Sequence, residues 1–315
     1  MTQTLESPQQ KTNSLSNLML FCLLFVGIFT LSLAAILIRF SEQYIGPNAT
    51  VFNRFWIATA IFGVWRGNKA IAYKLSGDLP ASDRTYAVSD ILLLILSATV
   101  VSISQISWAW SISQTSVANA NLLHNLTPVF ATFGGWLLLG HNFDRKFIIG
   151  MFLTIGGAIA IGIQDFNIAI EQLMGDALAL FSAVFYAANL LAIEKLRDKF
   201  PTASILFWSC FIRTLLIFPV VLLTEEQIFP SSLEGWLSVF CLALLCQVVG
   251  TGLLAYSLKQ LSSGFVSLFL LLEPIITTTL AWVIFAENLS LLNLLAFLVV
   301  LFGIYLAKSG QGSDK

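Results

Sequence analysis

The sequence predicts an all-α polytopic membrane protein, with ten transmembrane helices arranged as two inverted five-helix repeats. Three observations carry this prediction. Hydrophobic residues make up 57% of the chain and charged residues only 10%, with a mean hydropathy of +0.85. A soluble domain needs about 25% charge to cover its surface, so most of this surface faces lipid. The apolar residues also fall into runs of the length, about 20, that crosses a bilayer core. Finally, the stretch from Ser111 to Gly162 recurs without a gap 146 positions later, placing Gln114 on Gln260, Pro128 on Pro274, Thr132 on Thr278, Trp136 on Trp282, Asn142 on Asn288 and Gly157 on Gly303. Each copy holds an apolar run with a central proline, a polar hinge and a second apolar run, which describes a duplicated pair of membrane helices.

Residues 1–17 are rich in Gln, Ser, Thr and Asn and lack apolar periodicity, which predicts a disordered cytoplasmic tail. The first span is 18–38. A cleaved signal peptide is the rival reading, but the run exceeds a usual apolar signal region and nine more spans follow it. Those spans are 45–65, 91–112, 117–140, 147–163, 177–193, 203–223, 236–257, 264–286 and 291–307. They divide into a first repeat over 18–163 and a second over 174–308. Cys22, Cys210, Cys241 and Cys246 all lie in apolar runs and read as small hydrophobes rather than disulfide partners.

Orientation follows from the basic residues. With both termini cytoplasmic, the loops holding Arg66, Lys69, Lys74, Arg84, Arg145, Lys146, Lys195, Arg197, Lys199 and Lys259 all lie inside, and only Arg39 lies outside. Loops 164–174 and 224–235 carry Asp165, Glu171, Glu225, Glu226 and Glu234 without a basic residue and face outward. The expected location is the plasma membrane, the inner membrane of a bacterium. The net charge of −1 points to no nucleic-acid partner.

The duplication extends more faintly upstream. Shifted by 159 positions, Phe52-Asn53-Arg54 falls on Phe211-Ile212-Arg213. Five spans per copy is an odd number, so the second copy enters the membrane from the opposite side. Inverted repeats of this kind are a recurring transporter plan, with a site near the midplane and access alternating between the two sides.

The segment from Leu126-Thr127-Pro128 to Gly140-His141, its counterpart from Leu272-Glu273-Pro274 to Ala286-Glu287, and Gly175-Asp176 at the start of the second half resemble the EamA family of the drug/metabolite transporter superfamily. The resemblance covers about residues 18–308. His141 stands where the family pattern has Glu, so the first copy departs from it. The resemblance implies a ten-helix carrier of small metabolites, often amino acids or related compounds, frequently working outward.

Candidate site residues are polar groups that lipid does not tolerate, since ionisable side chains inside a membrane face the bundle interior or a watery cavity. These are Arg54, His124, Arg213 and Glu273. On the fourth span, Asn121, His124, Asn125, Pro128 and Thr132 recur at three or four residues and form one stripe. Gln105 and Trp108 on the third span, Tyr186 and Asn189 on the sixth, and Gln247 and Thr251 on the eighth add pairs at helical spacing. Pro128 and Pro274 remove backbone donors at midspan and open local helix breaks. Each polar group has a structural alternative, a bond between helices of about 0.6 kcal/mol on average. For Glu273 the alternatives are proton coupling and bracing of the Pro274 bend; for Arg54 and Arg213 they are substrate contact and a structural pair. Gly150, Gly156, Gly157 and Gly162 read as close-packing positions on the fifth span, with Gly156 and Ala160 as a small-xxx-small pair.

No G-x-S-x-G, H-E-x-x-H, Walker loop or C-x-x-C occurs, and His124 and His141 are the only histidines. The reading is therefore a small-molecule transporter in the lipid bilayer, not an enzyme, without cofactor or metal and with proton coupling as an option. A zwitterionic or amphipathic metabolite such as an amino acid suits the polar set. An intramembrane enzyme using Glu273 and His124, and a passive channel or sensor, are the alternatives. Nothing in the sequence sets an oligomeric state.

Overall fold

A computed structural model describes residues 8–76, 87–115, 117–162, 173–285, 291–310 and 312. Residues 1–7 of the predicted tail, the loop residues Arg84, Asp165 and Glu171, and the repeat positions Glu287 and Asn288 lie outside the described residues.

Among the described residues the regular elements are helical. In chain order they are α1 (Pro8–Ser32), α2 (Ala34–Ser41), α3 (Pro47–Ser76), α4 (Val88–Gln114), α5 (Val117–His124), α6 (Thr127–Leu139), α7 (Arg145–Gly162), α8 (Leu173–Arg197), α9 (Thr202–Thr224), α10 (Leu233–Cys241), a π-helical stretch (Leu242–Gly250), α11 (Thr251–Ser257), α12 (Ser263–Leu270), α13 (Leu272–Phe285) and α14 (Leu291–Ser309). α1 starts at Pro8 and so carries helical backbone into the segment read from sequence as a tail.

Among the described residues, eight helical stretches are long and apolar enough to cross a membrane: Met19–Ile38, Val88–Trp108, Ala120–Leu139, Leu173–Arg197, Thr202–Thr224, Leu233–Ser257, Ser263–Leu280 and Leu291–Ser309. The predicted spans 45–65 and 147–163 fall in α3 and α7, outside this set. α3 carries Asn48, Asn53, Arg54 and Arg66 within its length. α7 has 18 residues and opens on the charged Arg145 and Lys146.

Local chemistry explains where elements start, stop and bend. Gly140 closes α6 in the left-handed region at φ 72°, where a side chain would be strained. Asp144 then accepts the Phe147 N–H at 2.8 Å and starts α7, as Ser262 does for α12 through the Phe265 N–H at 3.2 Å. The fourth and ninth predicted spans are each broken in two. Pro128 occupies the first turn of α6 and Pro274 the first turn of α13, immediately after breaks at 125–126 and 271. Proline lacks the N–H that would continue the preceding ladder but fits a helix start, so it stands just after each break.

The two halves interdigitate. α3 packs on α9, α6 on α12, α7 on α14, α4 on α8, and α1 on the π-helical stretch and α11. At the level of whole spans, exchanging the halves maps this set of pairs onto itself. The α7–α14 seam is tight: a Cβ at Gly157 would strike the backbone of Val300 and Ala296, and one at Gly303 the backbone of Thr154 and Gly150. Gly150 also lies in this seam, facing the backbone of Ala307 and Gly303. Gly156, in contrast, faces open space and is exposed. The small-xxx-small pair with Ala160 is thus not in this seam, because one residue further along the helix turns a side chain by about 100°. Phe62, Phe147, Phe265 and Leu190 are among the side chains filling the core, while Leu138, Val283, Leu298 and Phe302 are exposed on the outside.

The bundle is latched at the end where α14 finishes. His141 Nε2 lies 3.0 Å from Glu194 Oε1 in an ion-pair approach, Glu194 Oε2 accepts the Ser263 N–H at 2.7 Å, and the Ser262 hydroxyl donates to the Gly312 carbonyl. α6 and α12 pack together on this side, whereas their continuations α5 and α13 make at most marginal contact among the described residues.

Candidate functional site

A cavity of about 90 Å³ opens between the halves. Its polar lining comes from Arg54 (α3), Gln105 (α4), Tyr186 and Asn189 (α8), Ser209 and Arg213 (α9), Gln247 (π-helical stretch) and Thr251 (α11), with Leu31, Val101, Leu190, Ile193, Leu206 and Leu254 as apolar walls. That volume is several waters' worth, enough for a carboxylate-sized group.

Both arginines are anchored across the repeat interface. Arg54 donates from Nε to Gln247 Oε1 at 3.1 Å, and Arg213 donates from Nη2 to Gln105 Oε1. Gln247 is buried and its amide nitrogen also reaches Cys210 Sγ at 3.6 Å. Its helix turn is π-type, with the Thr251 N–H bonding back to the Cys246 carbonyl. One extra residue per turn of this kind re-aims side chains and is frequent at functional positions. The Arg213 guanidinium lies 3.8 Å from the Phe55 ring centroid, a cation–π stack. Asn189 accepts from the Ser97 hydroxyl at 2.9 Å, so its carbonyl oxygen is engaged within the α4–α8 packing.

The remaining predicted site residues are placed differently. Glu273 is half-buried in the first turn of α13, outside the cavity lining but within electrostatic reach of Arg54 and Tyr186. Trp108 is half-buried off the cavity, with its indole N–H unpartnered. The fourth-span stripe does not line this cavity. Asn121 is exposed, Asn125 sits in the break, and His124 turns toward α8, with Nδ1 3.0 Å from the Ser182 hydroxyl and its ring 5.4 Å from that of Tyr186. The break after His124 ends the regular rotation on which the single stripe depended. Thr132 is buried, with its hydroxyl toward Met151 Sδ at 3.5 Å, a packing role between α6 and α7.

Ser209 was missed in the sequence, since a lone serine in an apolar run carries no signal. Arg213 was visible as a charge inside a span, and only its partner was not. Among the described residues, no group of His, Cys, Asp and Glu is clustered to hold a metal ion.

Comparison with known proteins agrees with this architecture. The chain matches the EamA-like transporter family over residues 18–163 and again over 173–308. It is 23% identical over 280 residues to an uncharacterized transporter of Archaeoglobus fulgidus, covering 88% of this chain and 92% of that one. It is 22% identical over 223 residues to the pseudopaline exporter CntI of Pseudomonas aeruginosa, covering 70% of this chain and 72% of the relative. A solved crystal structure superposes with a TM-score of 0.75 at 17% identity, covering 92% of this chain and 97% of the other, and at that identity the likeness concerns the fold alone. With two consecutive family matches spanning nearly all of its helices, the chain belongs to the EamA-like transporter family.

Proposed function

We propose that this membrane transporter moves a small metabolite outward by alternating access between two inverted five-helix repeats. In this reading α3 and α7 complete a set of ten membrane helices, both termini are cytoplasmic, and the protein resides in the plasma membrane, the inner membrane of a bacterium. The observation that carries the reading is the polar cavity between the halves, lined by Arg54, Gln105 and Tyr186 together with Arg213, Gln247 and Thr251. A site touched by both repeats is what rocking of one against the other requires. The latch of His141, Glu194 and Ser263 then closes the cytoplasmic side, and the parted α5 and α13 belong to the outward-facing side. Export accords with the exporter among the relatives.

Glu273 is the proposed proton-coupling group. It acts on Arg54 through charge without lining the cavity, so a proton and the substrate influence each other electrostatically rather than by competing for the same atoms. An amino acid or related amphipathic compound fits the mixed polar lining.

The test is a metabolite comparison between culture media of cells overexpressing and lacking the protein, followed by counterflow of the enriched compound in proteoliposomes. The expected result is enrichment outside and trans-stimulated exchange. Flux without trans-stimulation would make the protein a channel, and chemical conversion of the compound an enzyme.

A further inference from the structure

The cavity contains two bonded pairs of the same kind, Arg54 with Gln247 and Arg213 with Gln105. In each, the guanidinium belongs to one half and the amide to the other. Arg54 and Arg213 also correspond to each other under the upstream repeat alignment. Neither meets a carboxylate in contact: the ion pairs found among the described residues, His141 with Glu194 and Lys199 with Asp90, both lie away from this cavity lining. Arg213 is 6% exposed, yet its Nε is buried without a hydrogen-bond partner.

A guanidinium stays charged and offers five N–H donors in a planar fork that matches an oxyanion. Two such groups share one small cavity here, and Phe55 lies against both, with its ring centroid 3.8 Å from Arg213 Cζ and 5.8 Å from Arg54 Cζ. Placing like charges together inside a membrane protein, each hydrogen bonded to a neutral amide, with no carboxylate in contact and Glu273 acting on Arg54 only at longer range, is unfavourable until an anion arrives. A pair serving only to tie helices together would be better neutralised by a carboxylate within the protein.

We infer that the substrate is bound through an oxyanion, a carboxylate or a phosphate ester, received jointly by Arg54 and Arg213 while Gln247 and Gln105 hold the two guanidinium groups in place. The inference rests on the transporter reading and adds the chemical class of the cargo. Because each arginine belongs to a different half, one anion contacts both repeats at once and has a different affinity wherever their spacing changes, which is the condition for a ligand to shift a conformational equilibrium.

The experiment compares untargeted metabolite profiles of media from cells carrying empty vector, the wild type, Arg54→Gln, Arg213→Gln and Arg213→Lys, with membrane protein levels measured in parallel. Compounds enriched by the wild type are expected to carry a carboxylate or phosphate at neutral pH, and their structures separate those two sources. Their enrichment is expected to fall about tenfold or more in each Gln variant, the scale of a lost charge-assisted bond, and less in Arg213→Lys, which keeps the charge but loses the fork. Enriched compounds lacking an anionic group would overturn the inference while leaving the transporter reading intact, and this readout needs no variant to fold. Undiminished enrichment in both Gln variants would also overturn it. No enrichment by the wild type over empty vector would remove the transporter reading itself, and the inference with it.

Discussion

Arg54 and Gln247 are 193 residues apart and hydrogen bond at the centre of the bundle, as the repeat-related Arg213 and Gln105 do 108 residues apart. Each half thus lends its arginine to the other half's glutamine. A carboxylate in place of either amide would satisfy the arginine permanently. Gln247→Glu is therefore expected to raise the thermal unfolding temperature in detergent and to lower export by about tenfold or more, since a resident charge-assisted pair competes with the substrate anion. Export at the wild-type rate in that variant would show that Arg54 does not need to be available.

Glu273→Gln removes the ionisable proton while keeping shape and hydrogen bonding. Accumulation driven by an imposed proton gradient is expected to disappear in proteoliposomes, while substrate exchange continues. If both activities survive, Glu273 serves only to brace the bend at Pro274.

Glu194 is fully buried between His141 and the Ser263 N–H. Glu194→Ala leaves the Ser263 N–H without its acceptor and removes the carboxylate facing His141, and the expected cost is about 2 kcal/mol of stability. A cysteine at Ser263 should become accessible to a polar thiol reagent in the same variant. Glu194→Gln retains an acceptor for Ser263 and should lose less; equal losses would assign the whole effect to His141.

Gly303→Leu forces a side chain into the backbone of Thr154 and Gly150 at the α7–α14 seam. Overpacking of this kind costs about 2 kcal/mol, read as a lower unfolding temperature and reduced membrane expression. Gly156→Leu, turned out of the seam on α7, should leave both unchanged, since open space surrounds that position.

In a cysteine-free background, cysteines at Asn167 and Gln227 are expected to react with an impermeant reagent in intact cells, and one at Ser76 only after permeabilisation. External labelling at Ser76 would invert the orientation.

Composition, the runs of about 20 apolar residues and the 146-residue repeat were sufficient to place this chain in a membrane as two related halves. The same sequence shows Arg54, Arg213 and Glu273 as charges where hydrocarbon is expected, because the cost of burying charge makes any such residue conspicuous. It does not show which groups they meet. Helical periodicity says which side chains share a face, whereas the partner of that face depends on packing between segments distant in the chain. The meeting of Arg54 with Gln247 and of Arg213 with Gln105 was decided there, and so was the turning of His124 toward Ser182 instead of the cavity. A single helical stripe from Asn121 to Thr132 presupposes an unbroken helix. The break before Pro128 divides it: both parts pack on α8, but α5 reaches also to α4 and α7, and α6 to α12.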